Sequence, residues 1–205
     1  MAIRIRDHFH AAGRERSAAT LASVIAMLAW KLAMESIKRM RTAQFDIDLG
    51  RSYFDFVCEQ LAFLAHLADR IAYRQLDAEK RAAFTRALAL RLAEVVEDNA
   101  EMLLMPPATG ACQRHFLEVF NASGDDYADF RYDAEGPDFG FRRCFADRLR
   151  AAVPAKDHLW ITDQVMEIEV PESVAALEKT LAGLFAPDDA PQAPARPRRV
   201  RLSGD

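Results

Sequence analysis

The sequence has few cysteines and none of the spacings that bind zinc or build a disulfide framework. Its three cysteines, Cys58, Cys112 and Cys144, are odd in number and lie far apart in the 205-residue chain. Zinc sites usually use closely spaced pairs such as CxxC, and disulfide frameworks usually contain an even number of cysteines. We therefore expect three free thiols in a reducing compartment, which predicts a cytoplasmic protein.

An excess of positive charge is also lacking. The chain carries 27 Lys and Arg residues against 31 Asp and Glu residues, a net charge of −4, whereas nucleic-acid-binding domains usually carry a basic surface. The sequence thus gives no strong nucleic-acid signal. It also contains no phosphate-binding glycine loop, no G-x-S-x-G or H-E-x-x-H motif and no kinase motifs. Whether the protein is an enzyme stays open at this point.

Uncharged runs of membrane-spanning length are absent. The run from Ser17 to Trp30 follows Arg14 and Arg16, as the apolar part of a signal peptide follows its charged start. Its polar lead is long, however, small residues dilute it, and no small-x-small cleavage site follows. A span needs about 20 apolar residues. We therefore predict no transmembrane segment and a core helix of a soluble protein, with membrane-surface association as a weaker option.

Apolar residues at three- and four-residue intervals are abundant in the first half and predict three long helices. These run from Ser17 to about Thr42, from Ser52 to Gln75, and from Ala78 to about Met105, where Pro106 and Pro107 stop the third. Short connections predict antiparallel neighbours. The central helix has the broadest apolar face, so the other helices should cover it.

The second half is divided into shorter pieces. Helices are predicted for residues 112–121, from Pro137 to about Ala152, for residues 156–170 and from Pro171 to Leu184. The apolar side of the helix predicted for 156–170 comprises Trp160, Ile161, Val165, Met166 and Ile168. Residues 123–136 should form a partly helical connection, and no strand has a plausible partner. The predicted fold class is all-α: a helical bundle of three long antiparallel helices packed by three or four shorter helices.

Composition divides the chain into three parts. Residues 1–16 are a mixed polar lead-in, residues 17–185 form a single helical domain, and residues 186–205 are a Pro- and Arg-rich tail whose composition predicts disorder. The tail contains a basic cluster that could contact an acidic partner, although a solvated chain end is the simpler interpretation. The cluster comprises Arg196, Arg198, Arg199 and Arg201.

The few ionisable residues of the central helix form a candidate ligand-binding site. Glu59 and His66 lie two turns apart on one face, and Asp69, Arg70 and Tyr73 follow within two further turns. Facing carboxylates and imidazoles inside a helical bundle are typical of di-iron and di-manganese sites. An internal ion-pair network is the simpler interpretation, because a buried charge needs a partner.

Two residues of neighbouring helices extend this site to a metal-binding hypothesis. Glu97 belongs to an acidic row on the third helix, and His115 begins an H-x-x-E pair on the fourth. With Glu59 and His66 they would give a set of two carboxylates and two imidazoles. The order differs from the Glu-x-x-His repeats of di-metal proteins, so one metal ion, a small apolar ligand or no cofactor is equally compatible.

The function favoured by the sequence is that of a soluble helical interaction or accessory protein without a recognisable catalytic motif. Long amphipathic helices commonly pair between subunits, and the Ala-rich first helix offers a flat surface, so we expect a homodimer. A further protein partner is compatible with the same pattern. The alternative is a bundle that binds a metal ion or a small apolar ligand in its core. The aromatic and acidic segment 125–141 could be a recognition surface, or could anchor a connection onto the bundle.

Overall fold

The computed structural model describes residues 17–47, 51–100, 103 and 109–185. The predicted lead-in 1–16 and tail 186–205 lie outside these residues. The described part is a bundle of α-helices, which confirms the predicted all-α class; the antiparallel direction of the three long helices stays a prediction. The helices are α1 (Ala18–Thr42), α2 (Arg51–Tyr73), α3 (Ala78–Asp98), α4 (Ala111–Tyr127), α5 (Phe139–Arg150), α6 (Ile161–Gln164) and α7 (Val170–Phe185).

Three smaller elements complete the described fold. A 3-10 turn covers Ala155–Asp157, and a π-helical segment, Val165–Glu169, joins α6 to α7. Strands β1 (Tyr132–Asp133) and β2 (Gly136–Pro137) pair antiparallel as a two-residue hairpin. This hairpin replaces the last part of the partly helical connection that the sequence predicted.

Helix α2 is the centre of the bundle. It contacts α1, α3, α4, α5 and α7, and 16 of its 23 residues are buried. A helix that is apolar on nearly every side must be covered on nearly every side. Phe63 of α2 stacks on Phe145 of α5 with a centroid distance of 3.7 Å and meets Phe141 edge-on at 5.7 Å. These rings anchor the shorter second half onto the long helices.

Helix α1 buries its alanine face inside the bundle. Ala22, Ala26, Ala29 and Ala33 are all buried, and α1 contacts α3 as well as α2 and α7. Side chains this small allow a short distance between helix axes. Among the described residues α1 is the one helix long and apolar enough to cross a membrane, but 56% of its apolar 18-residue stretch is buried in the bundle, as in a core helix.

Local caps explain where the helices begin and end. Ser17 Oγ accepts a hydrogen bond from the Thr20 N–H, and Asp77 Oδ1 accepts one from the Lys80 N–H, so both residues satisfy orphan donors of the first turn. The predicted end of α3 near Met105 is wrong. The helix ends at Asp98 because Asn99 turns its side-chain amide back onto the Val95 carbonyl, with a donor–acceptor distance of 2.7 Å.

Two predictions about the start of α5 and the length of α4 are also wrong. Pro137 does not begin α5; it pairs in β2, and Asp138 caps the helix by accepting from the Phe141 N–H. Helix α4 continues past Asn121 to Tyr127. Gly124 within it provides space, since a Cβ there would lie 3.1 Å from Cε1 of His66.

The predicted break between two helices at Pro171 is wrong as well. The chain stays helical from Ile161 to Phe185, and the π-helical segment ends two residues before the proline. The Val170 N–H donates to the Val165 carbonyl, five residues back. Proline cannot donate and its ring crowds the preceding turn, and a π turn is wider than an α turn. The wider turn therefore accommodates Pro171 within one continuous helical run.

Candidate functional site

The predicted site residue Glu59 belongs to an ion-pair network that joins three helices. Arg148 Nε and Nη2 of α5 donate to its two carboxylate oxygens at 2.7 and 2.8 Å, and Arg148 Nη1 also donates to Asp126 of α4. The Arg148 and Glu59 side chains are only 18% and 15% exposed. Burial acts to lower the pKa of Arg148, but the hydrogen bonds and charge of Glu59 outweigh it and raise that pKa. Arg148 is therefore a cation that Glu59 neutralises.

His66 is buried near this network, and its imidazole ring is neutral. Its Nε2 lies 3.0 Å from the Phe120 carbonyl oxygen, which can only accept, so Nε2 carries the hydrogen. The ring stacks on Phe120 with a centroid distance of 4.4 Å. Burial lowers the pKa of His66, although the hydrogen bond to Phe120 and the charge of Asp69 act against it. A buried neutral imidazole engaged with a carbonyl is typical of a structural histidine.

Asp69, Arg70 and Tyr73 have separate partners. Asp69 accepts from Arg81 Nε at 2.8 Å, from Arg81 Nη2 at 2.5 Å and from Thr85 Oγ1 at 2.5 Å. Burial acts to raise the pKa of Asp69, but these hydrogen bonds lower it overall. Arg70 donates to the backbone carbonyl of residue 127, and Tyr73 is 67% exposed under the Arg81 guanidinium. The predicted ligand-binding residues thus contact other groups of the chain.

Glu97 and His115, the other predicted metal ligands, also have partners of their own. Glu97 accepts from the Gly110 and Gln113 N–H groups at 2.6 and 3.0 Å, and these bonds lower its pKa. It thereby caps α4, whose start needs Gly110 because φ is 75° there. His115 Nε2 lies 3.0 Å from Asp55 Oδ1. The described residues contain no group of three or more His, Cys, Asp and Glu side chains that could hold a metal ion, so the geometry lends the metal hypothesis no support.

The structure also contains a groove that the sequence did not predict. It lies between the turn after α1 and the stretch 157–168, and it has a volume of about 540 Å³. We call it the Trp160 groove; Phe45, Trp160 and Ile168 contribute its apolar lining, and Asp157, Asp163 and Glu167 contribute its acids. No lysine or arginine lines it within the part of the chain that the structure describes.

One hydrogen bond joins the walls of the Trp160 groove, and one residue of the lining has an unusual backbone conformation. Asp157 is buried, and its Oδ2 accepts from the Asp46 N–H at 2.8 Å, which ties the turn after α1 to the 3-10 turn. Gln44, on the same turn, has φ of 70°, a conformation that residues other than glycine rarely adopt. Such backbone strain persists only where surrounding contacts impose it, and it concentrates at functional sites.

The rim of the groove combines exposed apolar side chains with acids that lack a counter-charge. Trp160 and Ile168 are 63% and 41% exposed. Asp163 and Glu167 are both exposed, and neither forms an ion pair with another residue that the structure describes. This rim can therefore bind an apolar group and a cation at the same time.

The π-helical segment contains two glutamates, one of which is exposed on the rim while the other is buried. Glu169, the last residue of that segment, is 1% exposed and accepts from Arg39 Nη2 at 2.5 Å and from Gln164 Nε2 at 3.0 Å. Glu167, two positions earlier, faces solvent. One short segment thus contributes an acid to the core and another to the groove.

The sequence interpretation missed the groove because it assigned Trp160 and Ile168 to the apolar side of a helix. Ile161 and Val165 of that set are indeed buried. The spacing gives a partial signal, since residues 160, 164 and 168 form their own row, separate from 161 and 165. That row contains two large apolar residues, Trp160 and Ile168. Because an exposed row does not pack against the core, large apolar residues in it indicate a binding surface.

A second cleft, of about 630 Å³, lies between the hairpin and the start of α7. Its acids are largely engaged: Asp138 caps α5 and accepts from the Arg131 N–H, and Glu178 accepts from the Tyr132 hydroxyl. Arg142 also lines it. Unlike the Trp160 groove, the second cleft therefore has a cation in its lining, although its acids Asp133 and Glu135 are exposed as well.

Comparison of the chain with models of protein families, with curated proteins and with solved structures finds no match in any of the three. The functional interpretation consequently depends on the chemistry of the groove and of the paired core.

Proposed function

We propose that this protein is a soluble helical interaction module whose Trp160 groove binds a basic segment of a partner protein carrying one large apolar side chain. The observation that carries the proposal is a 63% exposed tryptophan beside two acids, Asp163 and Glu167, that no described residue neutralises. Tryptophan is among the residues most enriched at binding hot spots. An exposed apolar patch with a polar rim is typical of an interaction site.

The chemistry of the groove selects a particular kind of segment. A leucine- or valine-sized side chain would lie against Trp160 and Ile168 and remove apolar surface from water. Arginine suits the rim better than lysine, because its planar guanidinium binds a carboxylate through two hydrogen bonds and stacks on an indole ring. Asp163 and Glu167 would also accelerate association with a basic partner by electrostatic steering.

A ligand in the core is the less favoured function. Glu59, Asp69 and Glu97 already accept two or three hydrogen bonds each within the chain. A metal ion or ligand would have to displace those bonds. Elemental analysis of protein purified from metal-replete cells tests this alternative, and stoichiometric metal would support it.

The proposal includes a cytoplasmic location, which is supported by three cysteines without a disulfide: Cys58 and Cys112 are buried and Cys144 is half-buried. A homodimer remains part of the hypothesis, but the alanine face of α1 is buried within the subunit. A second copy would therefore have to use another surface.

A labelled peptide tests the groove directly. The probe is a fluorescein-labelled decapeptide with four arginines around one leucine, titrated with the full chain and followed by fluorescence anisotropy. Trp160→Ala should weaken binding at least tenfold, since truncating a central anchor commonly costs about 2 kcal/mol or more. Asp163→Asn combined with Glu167→Gln should weaken binding and reduce its dependence on salt.

The chain offers matched controls for both changes. Phe139 is 65% exposed and lines the second cleft, so Phe139→Ala should leave peptide binding unchanged. Asp125 and Asp129 are exposed residues elsewhere, and Asp125→Asn with Asp129→Asn changes the net charge by the same amount as the rim variant. Equal losses in the control and groove variants, or equal binding of a peptide with glutamines for arginines, would overturn the proposal.

A further inference from the structure

The chain itself contains a segment with the chemistry that the Trp160 groove favours. Residues 196–201 read RPRRVR, with four arginines, no acid and one valine. The groove has three acids in its lining and no described lysine or arginine. The two are therefore complementary in charge, and Val200 and the following Leu202 supply apolar side chains of suitable size.

The length of chain between the bundle and this segment is sufficient for it to reach the groove. Glu167 and Ile168 line the groove immediately before α7. The 16 residues of α7 extend about 24 Å from there at a rise of 1.5 Å per residue. Phe185 ends the helix with its ring against Phe84 of α3. The eleven steps from Phe185 to Arg196 span at most about 36–40 Å, which exceeds the length of α7.

We propose that the arginine segment, residues 196–201, binds the Trp160 groove of its own chain and competes there with the external basic partner. The inference rests on the proposed function, because it assigns an occupant to the same groove. Tethering raises the effective concentration of the segment to the order of 1 mM. A segment with a dissociation constant of about 0.1 mM would then occupy roughly nine grooves in ten and weaken external binding about tenfold.

Tryptophan fluorescence reports on this contact in the full chain. The chain has two tryptophans; Trp30 is 3% exposed and Trp160 is 63% exposed. Quenching of the tryptophan fluorescence by a neutral quencher such as acrylamide therefore reports mainly on Trp160. Replacing Arg196, Arg198, Arg199 and Arg201 by Gln should raise the quenching constant at least twofold. Adding a peptide of residues 194–203 should restore the protection. Equal quenching in the wild type and this variant would overturn the inference.

A control with the same change in charge uses arginines outside the segment. Arg86, Arg114, Arg131 and Arg150 are exposed on the bundle, and their replacement by Gln should leave the quenching constant unchanged. An equal rise in this control would mean that net charge alone exposes Trp160, and would overturn the inference. Protection that grows between 1 and 100 µM protein would overturn binding within one chain and point to a second copy.

The labelled arginine–leucine decapeptide separates failure of this inference from failure of the proposed function. The variant lacking the four tail arginines should bind the decapeptide about tenfold more tightly than the wild type. If the two proteins bind it equally, the groove still binds basic segments but the tail does not compete, so only the inference fails. If neither protein binds it, both proposals fail together.

Discussion

The core around α2 and the Trp160 groove both place acids beside aromatic rings, but the acids of the core have ion-pair partners and the rim acids of the groove do not. In the core, Glu59 is neutralised by Arg148 and Asp69 by Arg81. In the groove, Asp163 and Glu167 have no ion-pair partner among the described residues. A buried charge without a partner costs several kcal/mol, whereas an exposed one costs little. We therefore expect the core acids to contribute to stability, and the unpaired acids of the groove are the ones proposed for binding.

The largest expected effect on stability comes from breaking the core pair. Arg148→Met leaves Glu59 without its counter-charge inside the bundle, and we expect the free energy of unfolding to fall by about 3 kcal/mol. Urea denaturation followed by circular dichroism measures this. Arg143→Met is the matched control, because its pair with Asp147 on the same helix is exposed, and such pairs contribute at most about 1 kcal/mol.

A double variant sharpens the same comparison. Glu59→Gln together with Arg148→Met removes both charges, so more than half of the lost stability should return. If the double variant is as unstable as Arg148→Met, packing of the arginine rather than pairing of the charge dominates, and the core would not differ electrostatically from the groove.

A smaller effect is expected from the protonation of His66. The folded state lowers its pKa, so below the unfolded value of about 6.5 the unfolded chain binds more protons than the folded one. Stability is therefore complete above that value and is lost as pH falls towards the folded pKa, with a slope of at most about 1.4 kcal/mol per pH unit.

Denaturation at pH 7.5, 6.5 and 5.5 measures this effect. We expect the wild type to lose about 1 kcal/mol more than His66→Gln over this interval. Glutamine is the chosen replacement because its amide can still donate to the Phe120 carbonyl. If the two proteins lose stability equally as the pH falls, the folded state does not lower the pKa of His66, and the prediction is wrong.

Local signals in the sequence were enough to predict much of the bundle. The apolar period of three and four residues is a local signal, so α1, α2 and the start of α3 were predicted to within about two residues. The partner of Glu59 was not predictable in this way, since Arg148 is 89 positions away. Its identity depends on how α5 packs against α2, which no local pattern determines.

The Trp160 groove depends on two further non-local features. The turn after α1 meets residues 157–168 only in the folded chain, through the bond from the Asp46 N–H to Asp157. The π-helical segment shifts the rows of side chains, so Ile168 faces solvent while Glu169 is buried. An α-helical projection of the sequence cannot show either feature, and for this reason Trp160 and Ile168 were assigned to the core.

The smallest expected effect on stability is at the groove. Asp163 and Glu167 are like charges about one turn apart, which destabilise a helix by about 0.2–0.5 kcal/mol, but Asp163 lies in the first turn of α6, where a negative charge stabilises a helix by about 0.3–1 kcal/mol. The two effects oppose each other, so replacing both acids by Asn and Gln should change the free energy of unfolding by no more than about 0.5 kcal/mol.

The same segment provides the control for this last prediction. Glu169→Gln makes an identical chemical change two residues from Glu167, but it removes the charge that Arg39 and Gln164 bind in the core. It should cost about 2 kcal/mol. A comparable loss in Glu167→Gln would show that the rim acid is already committed to holding the fold together, and it would then not be free to bind a basic partner.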